Sequence, residues 1–327
     1  MNWGSIFPGQ GSQHPGMGKF LFDNFNEAKL RFEEASDALN LNFKKLCFEG
    51  SEEELQLTKN TQPALLLVST ISFEVVKKNT GFKSIASAGH SIGEYAALVT
   101  SNALGFTEAL LAVRSRGEAM QTAVPLGEGA MCAVLGMTET QVRETCKWAE
   151  ANSGFKPIEP ANFNSPDQIV ISGSAKAMDW LRENYKNAVS TNPELSHLPS
   201  RAKFIPLKVS APFHCSMMKP AEDIMRAVLE KINFKNIEYP VIQNYNAKPT
   251  LAASELRENI IRQISSPVLW TQCVESIRDI GALNLVEFGS GKILAGLVKK
   301  IDSEKLKTFN LNSLEDFKLL EIELNKH

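Results

Sequence analysis

The chain has 327 residues, 43% of them apolar and 22% charged, with a net charge of −2. That is enough to bury a full core, as one large domain or as a large domain carrying a smaller one. Near-neutral charge excludes a global bias toward nucleic acid or an anionic membrane.

The opening MNWGSIFPGQGSQ lacks the basic start and long apolar stretch of a signal peptide. A short apolar run, Gly4–Phe7, leads into FPGQGSQ (Phe7–Gln13), which lacks the Gly-Lys-Ser/Thr ending of a phosphate cradle. It reads either as a plain turn or as a loop offering backbone N–H groups to an oxyanion. The longest apolar-leaning run, Pro63–Val76, is interrupted by Ser69, Thr70, Ser72 and Glu74, so it cannot span a bilayer. Five scattered cysteines without a C-x-x-C pair indicate neither a disulfide framework nor a zinc site. A cytoplasmic location is expected.

Next comes Ile85–Ala88, a strand candidate running into GHSIGEYAAL (Gly89–Leu98). Gly-x-Ser-x-Gly between a strand and a helix fits a nucleophile elbow, with Ser91 beside free helix N–H groups. A structural turn requiring small residues fits the same letters. In the helical stretch TEALLAVRSRGEAM, a step of about 100° per residue puts Arg116 among Ala109, Ala112, Val113 and Met120, with Arg114 pointing about 160° away. A guanidinium on an apolar face needs an anion: a structural ion pair or a substrate carboxylate held by two parallel hydrogen bonds.

From about Gly127 to Ala202 the pattern changes. Strand Ala130–Leu135, helix Thr138–Asn152, NFNSPDQIVISG as a turn with strand Gln168–Ile171, and helix Ala175–Ala188 make a β-α-β-α series. This is compatible with a small ferredoxin-like insert. Ser190–Lys203 is polar and proline-broken, so a surface loop is expected. Strand candidates Phe204–Val209 and Leu283–Phe288 complete an α/β alternation with a largely parallel sheet.

A nucleophilic Ser91 needs a base, and the histidines are His14, His90, His197, His214 and His327. His327 is terminal, His197 lies in the polar loop, His90 adjoins Ser91, and His14 sits in the glycine-rich loop. His214, in VSAPFHCSMMKP between an apolar strand and an amphipathic helix, remains the candidate base, against a structural role.

FPGQGSQ, TQPAL (Thr61–Leu65), GHSIGEYAAL, RGEAMQ, NFNSPDQIVISG, VSAPFHCSMMKP, SPVLW (Ser266–Trp270) and EFGSGKILAGL (Glu287–Leu297) occur in the order seen in the malonyl-CoA:acyl carrier protein transacylases, which the chain resembles from about Ser5 to Ile301. The resemblance implies Ser91 as nucleophile, His214 as catalytic histidine, Arg116 on the malonyl carboxylate and the amides of Gln10 and Ile92 as oxyanion hole. It further implies that the main-chain carbonyl of Gln263 orients the histidine, and that Phe213 limits acyl selection. The implied fold is α/β: an α/β-hydrolase-like domain with a mainly parallel sheet (1–126 and 203–327) and a ferredoxin-like subdomain (127–202). The implied reaction passes malonyl from malonyl-CoA through a malonyl-serine ester to the phosphopantetheine thiol of acyl carrier protein, with no metal or other cofactor. A monomer without nucleic-acid or membrane partners is expected.

Other classes remain open. An α/β-hydrolase esterase or thioesterase would place an acid such as Asp167 between Ser91 and His214 in triad order. A polyketide acyltransferase or a non-enzymatic binding module are further readings. Arg201, Lys203 and Lys208 precede His214 and form either a carrier-docking patch or a solvated loop end.

Overall fold

The computed structural model describes residues 2–326. His327, weighed above as a base, lies outside the described residues.

The strands in chain order are β1 (Trp3–Phe7), β2 (Ser84–Gly89), β3 (Gly129–Leu135), β4 (Ile158–Ser165), β5 (Gln168–Ser174), β6 (Lys203–Pro206), β7 (Val241–Ile242), β8 (Pro249–Thr250), β9 (Asn284–Glu287) and β10 (Lys307–Asn310). Six of them form one sheet in the order β10-β9-β1-β2-β7-β8. Every pairing in it is parallel except β7 with β8. Its centre is β1, buried at all five positions, as a parallel strand covered on both faces must be. The expected alternation is therefore present. The short β7, β8 and β10 carry too few apolar residues to be read from sequence.

The apolar run at Pro63 belongs to a 23-residue helix, Thr58–Thr80, which packs against the helix Phe106–Thr122. Among the described residues no helix is long and apolar enough to cross a membrane. Two hydroxyls of the long helix return to its own backbone, Ser72 Oγ to the Val68 carbonyl at 2.8 Å and Thr80 Oγ1 to the Val76 carbonyl at 2.7 Å.

The second sheet is antiparallel throughout, in the order β4-β5-β3-β6. Helices Glu139–Ser153 and Ala175–Thr191 cover it, burying Val142, Cys146, Met178 and Leu181 with Ile169 and Ile171 in a core of their own. The first helix opens with a full capping box between Thr138 and Gln141.

Three expectations are corrected here. NFNSPDQIVISG begins inside β4, a strand the sequence reading missed; prolines and asparagines masked its period, and the hairpin pairs Ser165 with Gln168 across Pro166-Asp167. The segment Ser190–Lys203 is not a plain surface loop, because Leu195 and Leu198 are buried in the small core. The strand expected at Phe204–Val209 is Lys203–Pro206, and it pairs with β3. Residues 203–206 thus lie in the four-stranded sheet, whereas the division at 202/203 had placed them in the larger unit.

The outer edge of β4 meets the larger unit. The Phe163 N–H donates to the Val268 carbonyl at 2.9 Å, and the Val268 N–H to the Ala161 carbonyl at 2.8 Å. SPVLW therefore ties the edge of the small sheet to the larger unit through backbone hydrogen bonds.

Candidate active site

Ser91 stands in the turn between β2 and the helix Gly93–Thr100, with φ of 51°. Left-handed backbone at a non-glycine residue is costly and persists only where the surroundings enforce it. The flanking glycines show what does so. A Cβ on Gly89 would lie 1.9 Å from the Gly93 carbonyl carbon, and one on Gly93 would lie 2.1 Å from the Phe7 carbonyl oxygen. The turn closes so tightly that neither position can carry a side chain.

Across the turn, His214 also has positive φ, 60°, and is buried. Its Nε2 lies 2.8 Å from Ser91 Oγ, and its Nδ1 lies 2.9 Å from the main-chain carbonyl of Gln263. A carbonyl only accepts, so Nδ1 carries the proton and Nε2 is left to accept from the serine hydroxyl. Burial, reinforced by the nearby Arg116 guanidinium, pushes the imidazole down to about 3. It is neutral at pH 7, the form a base requires.

Arg116 is 1% exposed. Its Nη2 donates to Gln263 Oε1 at 2.9 Å and to Ser91 Oγ at 3.2 Å. Its Nε has no partner, and the guanidinium lies 5.8 Å from the Tyr95 ring centroid. A direct ion pair is not formed: among the described residues the hydrogen bonds of Arg116 go only to neutral groups, and the buried Glu94 carboxyl acts on it from across the Gln263 amide. A buried cation with no carboxylate hydrogen-bonded to it has room in its bonding for an anion.

Ser91, Arg116, Phe213 and His214 line one cavity of about 160 Å³, together with Gln10 and Ile92. Gln10 follows β1, the neighbour of β2, so parallel pairing delivers both loops to one end of the sheet. A groove of about 950 Å³ shares Gln10, Leu207 and Val209 with this cavity.

Among the described residues the other candidates make no hydrogen bond to Ser91 Oγ, although His90 lines the same cavity. His90 Nε2 is 2.8 Å from Asn164 Oδ1 on β4, and His197 pairs with Glu144 on the small unit. His14 Nδ1 is 2.9 Å from the Pro15 carbonyl. Asp167 sits exposed in the β4–β5 turn, paired with Lys300 at 3.2 Å, so the proposed Ser-acid-His order has no acid at His214. Of the basic trio, Lys208 lines the groove. Lys203 pairs with Leu135 at the far end of β3 from the cavity-lining Met131, so a shared patch of Arg201, Lys203 and Lys208 at the mouth is not formed.

Sequence reasoning missed the polar floor beneath Ser91. Asn244 Oδ1 accepts from the Ser91 N–H at 2.7 Å while its Nδ2 donates to the Gly89 carbonyl at 2.7 Å. Glu94, fully buried, accepts from the Asn244 N–H at 2.7 Å and from Gln263 Nε2 at 3.0 Å. Burial pushes this carboxyl up to about 7, against the pull of those donors and of Arg116. One signal was available, a glutamate inside an otherwise apolar helix. Asn162 and Asn164, which enter the cavity from β4, stood in a quoted motif without a role.

Whole-chain comparisons stand beside this geometry. The family model of the acyl transferase domain covers residues 5–300. The chain belongs to the acyl transferase domain family. A malonyl CoA-acyl carrier protein transacylase of Bacillus subtilis is 40% identical over 314 residues, 96% of this chain and 94% of that protein. The crystal structure of a Clostridium perfringens protein of the same name superposes with a TM-score of 0.91 at 36% identity, covering 100% of this chain and 98% of that one. A malonyl-transacylase solved in complex with a type II PKS acyl-carrier protein gives 0.90 at 37% identity, covering 99% and 100%.

Proposed function

We propose that this acyl transferase moves a malonyl group from malonyl-CoA to the phosphopantetheine thiol of acyl carrier protein, in the roles the resemblance implied. Support comes from the relatives named above and, most directly, from Ser91 Oγ lying within reach of both His214 Nε2 and the unpaired guanidinium of Arg116.

His214 Nε2 takes the hydroxyl proton as Ser91 Oγ attacks the thioester carbonyl. The amides of Gln10 and Ile92 hold the oxyanion, each such donor being worth roughly 3–4 kcal/mol in comparable sites. The carbon–sulfur bond breaks, the sulfur of coenzyme A leaves with the proton from His214, and a malonyl ester remains on Ser91. A carrier thiol then gives its proton to His214, attacks the ester and restores the serine. Gln263 orients the imidazole with a neutral carbonyl. A carboxylate there would compete with the substrate for Arg116. Phe213, adjoining His214, occupies space that an α-methyl group would need. The reaction uses no metal or other resident cofactor.

The finer architecture belongs to the same reading, with the expected boundary after residue 202 moved past Pro206: an α/β-hydrolase-like unit (1–126 and 207–327) and a ferredoxin-like unit (127–206). The β-α-β-β-α-β order of the small unit supports it. The enzyme works as a cytoplasmic monomer supplying extender units to fatty-acid synthesis. A polyketide carrier is the second reading, because one similar structure holds such a partner.

Intact-mass measurement after mixing with malonyl-CoA tests the proposal. A malonyl adduct should form, vanish in Ser91→Ala, and move to added carrier protein; offering fatty-acid and polyketide carriers side by side separates the two readings. A full-size adduct on Ser91→Ala would sink the assignment.

A further inference from the structure

Glu94 lies in the first turn of the helix Gly93–Thr100 and takes no part in the steps above. Its Oε2 accepts from the Asn244 N–H and Gln263 Nε2, and its Oε1 accepts from Gln243 Nε2 at 3.1 Å. All three partners are N–H donors, so the ionised carboxylate is the form the site complements. Gln263 is the sensitive partner. An amide can lie in two orientations that exchange oxygen and NH₂. Only with Nε2 toward Glu94 does Oε1 face Arg116, whose Nη2 it accepts at 2.9 Å. Reversed, Gln263 would set a carbonyl against a carboxylate and an NH₂ against a guanidinium.

We infer that Glu94 is a positioning residue for acyl selection: its carboxylate, together with the Ser91 carbonyl 3.1 Å from the same Nε2, sets the direction of the Gln263 amide and thereby holds Arg116 where a malonyl carboxylate meets it. The inference rests on the reading of Arg116 given above. The nucleophile depends on Glu94 less, because the Asn244 side chain beneath Ser91 is held independently by the Gly89 carbonyl. Nor can the surroundings adapt to its loss. Gln243 is pinned by the Leu256 carbonyl at 2.9 Å and by Asn259 Nδ2 at 2.9 Å. In Glu94→Gln the new NH₂ must therefore face a donor on one side or the other.

The test measures Ser91 acylation by malonyl-CoA and by acetyl-CoA in wild type, Glu94→Gln, Gln263→Met, the double variant and Arg116→Ala. Glu94→Gln should lower the malonyl-to-acetyl ratio by about tenfold, the scale of one hydrogen bond to a charged group. Gln263→Met keeps the main-chain carbonyl that holds His214 and should give a similar fall. The double variant should fall no further than Gln263→Met alone, because both changes act through one amide. Equal loss with both substrates in Glu94→Gln, or full multiplication in the double variant, overturns the positioning role. If Glu94→Gln does not fold, an unchanged ratio in Gln263→Met overturns it alone. Arg116→Ala separates the two ideas. An unchanged ratio there defeats the reading of Arg116 itself, whereas a fall in Arg116→Ala without one in Glu94→Gln defeats only the role of Glu94.

Discussion

The floor of the site and its mouth are built to opposite rules. On the floor, Ser91, His214, Arg116, Gln263 and Glu94 are all buried, and the last four come from different elements to meet at one serine. Their hydrogen bonds leave little freedom: two residues hold positive φ, and the Gln263 amide touches Arg116, Glu94 and the Ser91 carbonyl at once. At the mouth, Leu126 is 88% exposed, Leu57 is 48% exposed, and Lys208 lies exposed beside them along the groove. Charge development in acyl transfer is stabilised by dipoles that are already in place and shielded from water. A surface that must accept and release partners needs access instead, and weak exposed contacts serve that purpose. Substitutions in the two regions should therefore differ in size and in which half-reaction they touch.

The steepest loss is expected on the floor at the base. His214→Ala should slow Ser91 acylation by at least about 10²-fold, read as the burst of free coenzyme A. Because its pKa is lowered to about 3, the imidazole stays in its basic form as pH falls. Wild-type acylation by acetyl-CoA, which does not call on the Arg116 carboxylate site, should then stay level from neutral pH down to about pH 5, and a decline in it centred on the ordinary histidine range would show that burial does not hold His214 neutral. Malonyl acylation should fall over that window as Glu94, its carboxyl pushed up to about 7, takes up a proton.

Arg116→Ala comes next. Losing a bidentate, charge-assisted contact should cost malonyl transfer roughly 10- to 100-fold relative to acetyl transfer. An unchanged preference would make the cation a structural element of the floor rather than a receptor for the substrate.

Phe213→Ser tests the wall between the two regions. It should admit methylmalonyl-CoA at some cost to malonyl, and only partly, since one added carbon is worth about 1–3 kcal/mol of discrimination. A folded variant with no methylmalonyl transfer would remove the ring from the selectivity argument.

The smallest effect is expected at the mouth. Lys208→Glu should slow transfer to carrier protein severalfold and weaken its salt dependence, as rim charges act mainly on association, while Ser91 acylation changes less. Equal loss in both half-reactions would place Lys208 on the coenzyme instead, and the contrast between floor and mouth would blur.

The elements that were legible share a reason. β1, β2, β3 and the core of β5 are runs of apolar or small residues, and the helices Glu139–Ser153 and Ala175–Thr191 carry clear apolar faces. Arg116 stood out because helical periodicity places it among small apolar residues, and Ser91 because two glycines bracket it. β4 was not legible, since Pro160 breaks its pattern and Asn162 and Asn164 are set by Val268 and the site rather than by local preference. Leu195 and Leu198 look like loop residues until the small core closes over them.

Local sequence thus determined the turn that projects Ser91 and the helix face that buries Arg116, because each depends on sterics or periodicity within a few neighbouring residues. The polar floor was decided only by tertiary structure. Asn244 follows β7, Gln263 follows the helix Ala253–Arg262, and Glu94 rides on the turn helix; 169 positions separate Glu94 from Gln263 in the chain and 3.0 Å in space. No short-range pattern encodes such a meeting. Each of these groups would be costly to bury alone, so they are tolerated where they are only because the fold makes each the hydrogen-bond partner of the next.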